Sequence, residues 1–126
     1  MNPQEKGRRG EYLARLYLEQ KGFVFLRANY RTPEGEVDLI MQDGDRLVFA
    51  EVKTRDPKFT ERYGRGILRI DDEKQRKIKK AAARFLREEP RLSGGLVPRF
   101  DDVELYWETD FPDKVFVIHT PDAFFM

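Results

Sequence analysis

Two runs of alternating residues on either side of a turn dipeptide constrain this chain more than any other feature. From Glu36 to Gln42, the residues Glu36, Asp38 and Ile40 share one side of an extended backbone, and Val37, Leu39 and Met41 share the other. Asp43-Gly44 is tight-turn chemistry. Arg46 to Thr54 then resumes the alternation, with Leu47, Phe49, Glu51 and Lys53 on one face and Val48, Ala50 and Val52 on the other. The pattern predicts a β-hairpin. A two-residue loop at Asp43-Gly44 sets Glu36 opposite Glu51 and leaves Asp38 diagonal to it, whereas a four-residue loop sets Asp38 directly opposite Glu51. Either register keeps Asp38, Glu51 and Lys53 on one face, the diagonal pair roughly 7–8 Å apart. Only a one-residue slip separates them.

Two carboxylates and an ammonium on an otherwise apolar strand face are costly unless paired or bound to a cation. Asp38 and Glu51 are hard oxygen donors of the kind Mg²⁺ or Mn²⁺ accepts, with water and a substrate phosphate completing the shell. Lys53, one step along, is placed to orient a water and to neutralise charge growing on a phosphate. The structural alternative is a Lys–carboxylate pair at an exposed strand end.

The remaining pattern surrounds the hairpin with helices and further strands. Pro3 to Lys21 carries Tyr12, Leu13, Leu16, Tyr17 and Leu18 at helical spacing, with Gly22 as the stop. Phe23 to Tyr30 reads as a strand and Thr32-Pro33-Glu34-Gly35 as a turn. Residues 55–70 lack a period and read as a loop; Tyr63 and Gly64 to Gly66 either close over a ligand or form ordinary surface. Asp71 caps a helix to Glu89, with Ile78, Ala81, Ala82, Phe85 and Leu86 as its apolar stripe, and Pro90 ends it. Arg99 to Trp107 and Lys114 to Thr120 are two more strands joined near Asp110 to Asp113. The order is αβββαββ. His119 reads as a packed or exposed strand histidine, and Phe124-Phe125 as core packing or an oligomer contact.

At 126 residues the chain is expected to be one domain, 1–126, with its core in about 4–120. It has no Cys, and His119 and Ser93 are the only residues of their types, which excludes thiolate chemistry and Cys/His zinc sites. Met1 to Gly10 is charged and polar, and no apolar run approaches the ~18 residues of a membrane span. A cytoplasmic protein away from membranes is expected. The net charge of +1 conceals segregation: residues 1–31 hold seven basic and three acidic side chains, and Lys74 to Arg87 holds seven basic and none acidic. Residues 32–56 hold seven acidic and three basic, and residues 92–126 seven and two. Two basic segments able to grip a polyanion thus bracket a carboxylate cluster, although solvated helix faces explain either basic run taken alone.

Val37-Asp38 followed by Glu51-Val52-Lys53 resembles the PD-(D/E)xK nuclease signature. Gly7-Arg8-Arg9-Gly10-Glu11, Gly35-Glu36-Val37-Asp38-Leu39-Ile40 and Val48-Phe49-Ala50-Glu51-Val52-Lys53-Thr54-Arg55, in that order, resemble the YraN-like bacterial family, itself regarded as similar to archaeal Holliday junction resolvases. The resemblance spans residues 4 to about 107. It implies an α/β fold with a restriction-endonuclease-like core, αβββαβ(β), its mixed central sheet flanked by helices. It further implies catalytic Glu11, Asp38, Glu51 and Lys53, with Asp38 and Glu51 holding Mg²⁺ or Mn²⁺. Val37 stands where the signature has Pro, a change of backbone geometry rather than chemistry. Glu36 shares the face of Asp38, where it either joins the site or pairs with Arg55 or a neighbouring Arg.

Arg8, Arg9, Arg55, Lys74, Gln75 and Lys77 are the nucleic-acid-binding candidates, and Lys74 and Gln75 could equally be a solvated first turn. The leading expectation is a metal-dependent nuclease acting on DNA, branched forms included, and a homodimer by analogy with the resolvases. The competing expectation is a non-catalytic nucleic-acid-binding protein that keeps the fold. A third class, an enzyme of small phosphate compounds, is disfavoured by two long basic helices.

Overall fold

The computed structural model describes residues 2–55, 71–107 and 114–125. Tyr63, Gly64 to Gly66 and the turn expected near Asp110 to Asp113 lie outside these residues. Helix α1 spans Pro3–Gln20, capped by Asn2, whose side chain accepts the N–H of Glu5. It stops at Gly22, whose φ of +96° a residue with a Cβ adopts only with strain. Strands β1 (Val24–Arg31), β2 (Glu36–Asp43) and β3 (Arg46–Arg55) follow. Helix α2 (Asp72–Glu88) has Asp71 as its N-cap, accepting the N–H of Lys74. A short helix α3 (Pro90–Ser93), not foreseen from the sequence, leads into β4 (Val97–Trp107) and β5 (Val115–Phe124).

The five strands form one sheet in the order β1-β2-β3-β4-β5. All neighbours are antiparallel except β3 and β4, which run parallel. A parallel pair needs a crossover, and α2 lies within it. The architecture is the mixed, helix-flanked αβββαβ(β) core that the resemblance implies. The hairpin turn is Gly44-Asp45, one residue later than expected, with Asp43 paired to Arg46.

Alternation along the strands divides the core. Ala14 and Leu18 of α1 pack on Leu39, Met41, Val48, Ala50, Val103 and Leu105. Ile78, Ala81, Ala82 and Phe85 of α2 pack on the opposite face with Ile40, Leu47, Phe49 and Phe100. Burying a side chain of this size stabilises by about 1.5–3 kcal/mol, and the two layers hold the helices on opposite sides of the sheet. Phe124 stacks on Phe100, whereas Phe125 is exposed. On the α1 side, buried Asp101 accepts from Arg99 and from the Asp122 N–H and pairs with His119 Nε2 at 2.7 Å, while Arg99 also reaches Asp43. His119 is a satisfied, packed strand histidine, and the network ties β2, β4 and β5.

Two glycines of the motifs are contact residues. A Cβ on Gly10 would meet the Thr54 hydroxyl, and one on Gly35 would meet the backbone carbonyl of Lys77. Gly10 lets α1 lie on the end of β3, and Gly35 lets the Thr32 to Gly35 turn touch α2. A hydroxyl can rotate away and a helical carbonyl cannot. Gly35→Ala is therefore expected to lower stability by about 1–3 kcal/mol. Gly10→Ala should cost less, because the roughly 1 kcal/mol helix preference of Ala over Gly offsets part of the crowding. Urea unfolding of both variants checks the order; an unchanged midpoint for Gly35→Ala would rule out the close contact.

Candidate active site

The ladder between β2 and β3 runs from Asp43–Arg46 to Leu39–Ala50 and ends there. The next residues along the two strands are Asp38 and Glu51, so the structure adopts the register that sets these carboxylates opposite each other. Beyond the ladder's end the Val52 N–H has no strand partner in β2, and Asp38 Oδ2 accepts it at 2.8 Å. A side chain thereby satisfies a backbone donor that would be costly to strand. Glu51 and Lys53 continue the α2 side of Leu47 and Phe49, whereas at Asp38 the expected alternation of β2 breaks: Val37 packs with Ile40 in the α2 layer instead of sharing a face with Leu39 and Met41. Glu51 is 5% exposed and Lys53 half-buried.

Helix α2 brings Lys74 to this face, its Nζ 2.5 Å from Glu51 Oε1. Burial opposes the Lys74 charge, but hydrogen bonding to Glu51 and the charges of Glu51, Asp38 and Glu36 outweigh it and raise its pKa. Asp38 is pushed up to about 8, first by burial and then by the charge of Glu51, against the stabilising Val52 N–H.

Two further acids join the face unannounced. The parallel ladder sets Asp102 beside Glu51 and Glu104 beside Lys53. Both are buried, and Asp102 Oδ1 and Glu104 Oε1 have no hydrogen-bond partner among the described residues. The Tyr106 hydroxyl donates to the other Glu104 oxygen. Asp102 is pushed up to about 7 by burial and by Glu104, with Lys53 pulling the other way. The alternation of Phe100, Asp102, Glu104 and Tyr106 was visible in the sequence; what it lacked was the identity of the neighbouring strand.

The other candidates lie around this centre. Glu11 is half-buried on α1 and hydrogen-bonded to Asn29; burial raises its pKa, and Glu36 and Glu51 add to the rise. Its link to the carboxylate pair is thus through the field rather than a direct bond. Glu36 is exposed and pairs with Arg31 at 3.6 Å. It borders a cleft of about 360 Å³ with Gly35, Lys74 and Lys77. Arg8 borders a second cleft with Glu11 and Asn29, and Arg9 lies over Trp107. Gln75 is half-buried in the first turn of α2, and Arg55 ends β3 beside Tyr106. The contacts of Gly10 with Thr54 and of Gly35 with Lys77 bring the N-terminal halves of both helices to the same end of the sheet. The turn of α1 that carries Arg8 and Arg9 and the turn of α2 that carries Lys74 and Lys77 thus lie at the end of the sheet where the carboxylates stand.

Among the described residues no three Asp, Glu or His side chains form a ready cage for a metal. Mg²⁺ does not need one, since it commonly takes one or two carboxylates and keeps waters or substrate phosphates as the rest of its shell. Facing hard-oxygen donors in a carboxylate-rich, partly buried site fit such an ion. Among the described residues no helix is long and apolar enough to cross a membrane.

The model of a family described as "Uncharacterised protein family UPF0102" matches residues 10–105. The chain belongs to this family. The match runs from the Gly10 contact through the hairpin and α2 to Leu105, and so includes every acid of the site. A UPF0102 protein of Desulfosudis oleivorans is 43% identical over 100 residues, covering 79% of this chain and 77% of its own. One of Geobacter metallireducens is 36% identical over 118 residues, covering 94% and 90%, and one of Pasteurella multocida 38% over 116, covering 86% and 95%. The YraN-like resemblance and this UPF0102 membership agree.

The carboxylate pair has a measurable pH signature. Folding raises Asp38 from the ordinary 3.8 to about 8, so between those values the folded state binds more protons than the unfolded chain. Stability must then fall as pH rises through that window. Asn at this position keeps an acceptor for the Val52 N–H and cannot ionise. In EDTA, Asp38→Asn is expected to melt higher than wild type at pH 8 and close to it at pH 5. A gap of equal size at both pH values would show that Asp38 does not titrate this way.

Proposed function

We propose that this UPF0102 protein is a Mg²⁺- or Mn²⁺-dependent nuclease that hydrolyses DNA phosphodiester bonds. The observation that carries the reading is the placement of Asp38 opposite Glu51 where two strands part, with Lys53 next on the same face. Facing carboxylates beside a lysine, buried enough for their charges to interact strongly, suit phosphoryl chemistry better than a structural ion pair. A structural ion pair needs one acid, and here Asp38, Glu51, Asp102 and Glu104 gather about Lys53 and Lys74.

In the proposed reaction a water attacks phosphorus in line with the departing oxygen, breaking one P–O bond as another forms. When bound, the cation supplies Lewis acidity at the phosphoryl oxygen and makes a water more acidic. Asp38 and Glu51 are the residues that would hold it. Asp38 is itself held by the Val52 N–H, so the donor is oriented before any ligand arrives. Lys53 orients the attacking water and offsets negative charge as it grows on the phosphate. Glu11 adds negative field from α1. Arg8 and Arg9 on one side and Lys77 on the other suit the sugar–phosphate backbone, a contact without base readout. Approach from both faces of the sheet favours DNA over a small phosphate compound and is compatible with branched forms.

Purified protein is expected to cut branched or single-strand-containing DNA in Mn²⁺ or Mg²⁺ and to be silent in EDTA. Glu51→Ala should abolish cleavage. Lys53→Ala should lower the rate by roughly 10²–10⁴-fold, the usual contribution of a positioned proton-transfer group, with DNA binding retained. Changing Arg8, Arg9 and Lys77 to Glu should weaken binding to duplex DNA and make it less sensitive to salt, the slope falling by ~0.9 for each phosphate that is no longer neutralised. Wild-type protein that binds all these DNAs and cuts none would favour a binding module that retains the fold.

A further inference from the structure

Lys74 lies in the first turn of α2, where a basic residue is expected to face solvent or a phosphate. Its ammonium is instead 2.5 Å from Glu51 Oε1, on the very carboxylate assigned to the cation. The two partners are unequally placed: the Glu51 side chain is 6% exposed and that of Lys74 45%. The acid is fixed in the sheet, and the base reaches it from the surface along a flexible stem. The neighbouring charges also converge on Lys74, since Asp38 and Glu36 act on it together with Glu51. It faces the carboxylates from the helix side, while Lys53 lies along the strand itself.

We infer that Lys74 is an exchangeable counter-ion, occupying Glu51 when no divalent cation is bound and competing with that cation for the same oxygen. The inference rests on the proposed role of Asp38 and Glu51 as cation ligands and goes beyond it. A buried carboxylate pair without compensation would destabilise the sheet, and the Lys74 ammonium offsets that repulsion without closing the site. Its exposed stem lets it withdraw when a doubly charged ion, attracted more strongly to both carboxylates, arrives. Withdrawal turns the ammonium toward the cleft shared with Lys77, where a phosphate would be met. Lys74 is in this account a positioning residue whose removal should make cation binding easier.

The test is Mn²⁺ affinity, measured on full-length protein by the loss of the free-ion paramagnetic resonance signal, with no DNA present. Lys74→Met keeps the stem and removes the charge, and Lys74→Arg keeps the charge. Lys74→Met is expected to bind Mn²⁺ about tenfold more tightly than wild type, a change of the size expected for losing one competing ion pair. Lys74→Arg should stay near the wild-type value. Glu51→Gln should remove the site and so identifies which binding event is being read. In EDTA, Lys74→Met should melt below wild type, and Mn²⁺ should raise its melting temperature by more than it raises that of wild type. Unchanged or weaker Mn²⁺ binding by Lys74→Met, with wild type binding normally, would overturn the counter-ion role and leave the nuclease reading standing. Absence of Glu51-dependent Mn²⁺ binding in both proteins would overturn the two together.

Discussion

The hydrogen bond from the Val52 N–H to Asp38 Oδ2 occupies the point at which the sheet changes from scaffold to site. Before it, β2 and β3 exchange backbone hydrogen bonds residue for residue; beyond it, the strands are free to carry side chains that a closed ladder would crowd. A carboxylate performs the repair, so the same group that satisfies the backbone donor also presents its charge to Glu51. The acid pair and the end of the ladder are thus one feature.

Close backbone approach does the remaining positioning. Gly10 admits α1 to the end of β3, and Gly35 admits α2 to the turn before β2. Both helices therefore bring their N-terminal turns to the end of the sheet where Asp38 and Glu51 stand. Had either helix been held off by a side chain, Arg8 and Arg9 or Lys74 and Lys77 would be distributed over a general surface instead of flanking one locus.

The two faces of the sheet treat buried charge in opposite ways. On the α1 side, Asp101 is saturated by Arg99, His119 and the Asp122 N–H, and burial is overcome so that its pKa is lowered. Around Glu51, Asp38 and Asp102 are both raised, chiefly by burial with neighbouring acids adding to it. The saturated network is a structural tie. The unsaturated one leaves Asp102 Oδ1 and Glu104 Oε1 without partners among the described residues, which is costly in a core.

Local period and local hydrogen bonding were legible in the amino-acid order. Strand alternation put Asp38, Glu51 and Lys53 on one face for a loop of two residues or of four, Asp71 and Gly22 marked a helix start and a helix stop by residue type and spacing, and the order αβββαββ followed. The loop length itself was open, because Asp43, Gly44 and Asp45 all suit a turn and both registers keep the same faces; the structure pairs Asp43 with Arg46 and puts Gly44-Asp45 at the tip. The neighbours of β3 were settled by packing across the whole domain. Asp102 and Glu104 entered the site only because β4 runs parallel to β3, and Lys74 reached Glu51 only because Ile78, Ala81 and Phe85 dock α2 across that strand. Such contacts join residues dozens of positions apart, and they are set by the summed burial of many apolar side chains, which no local pattern encodes.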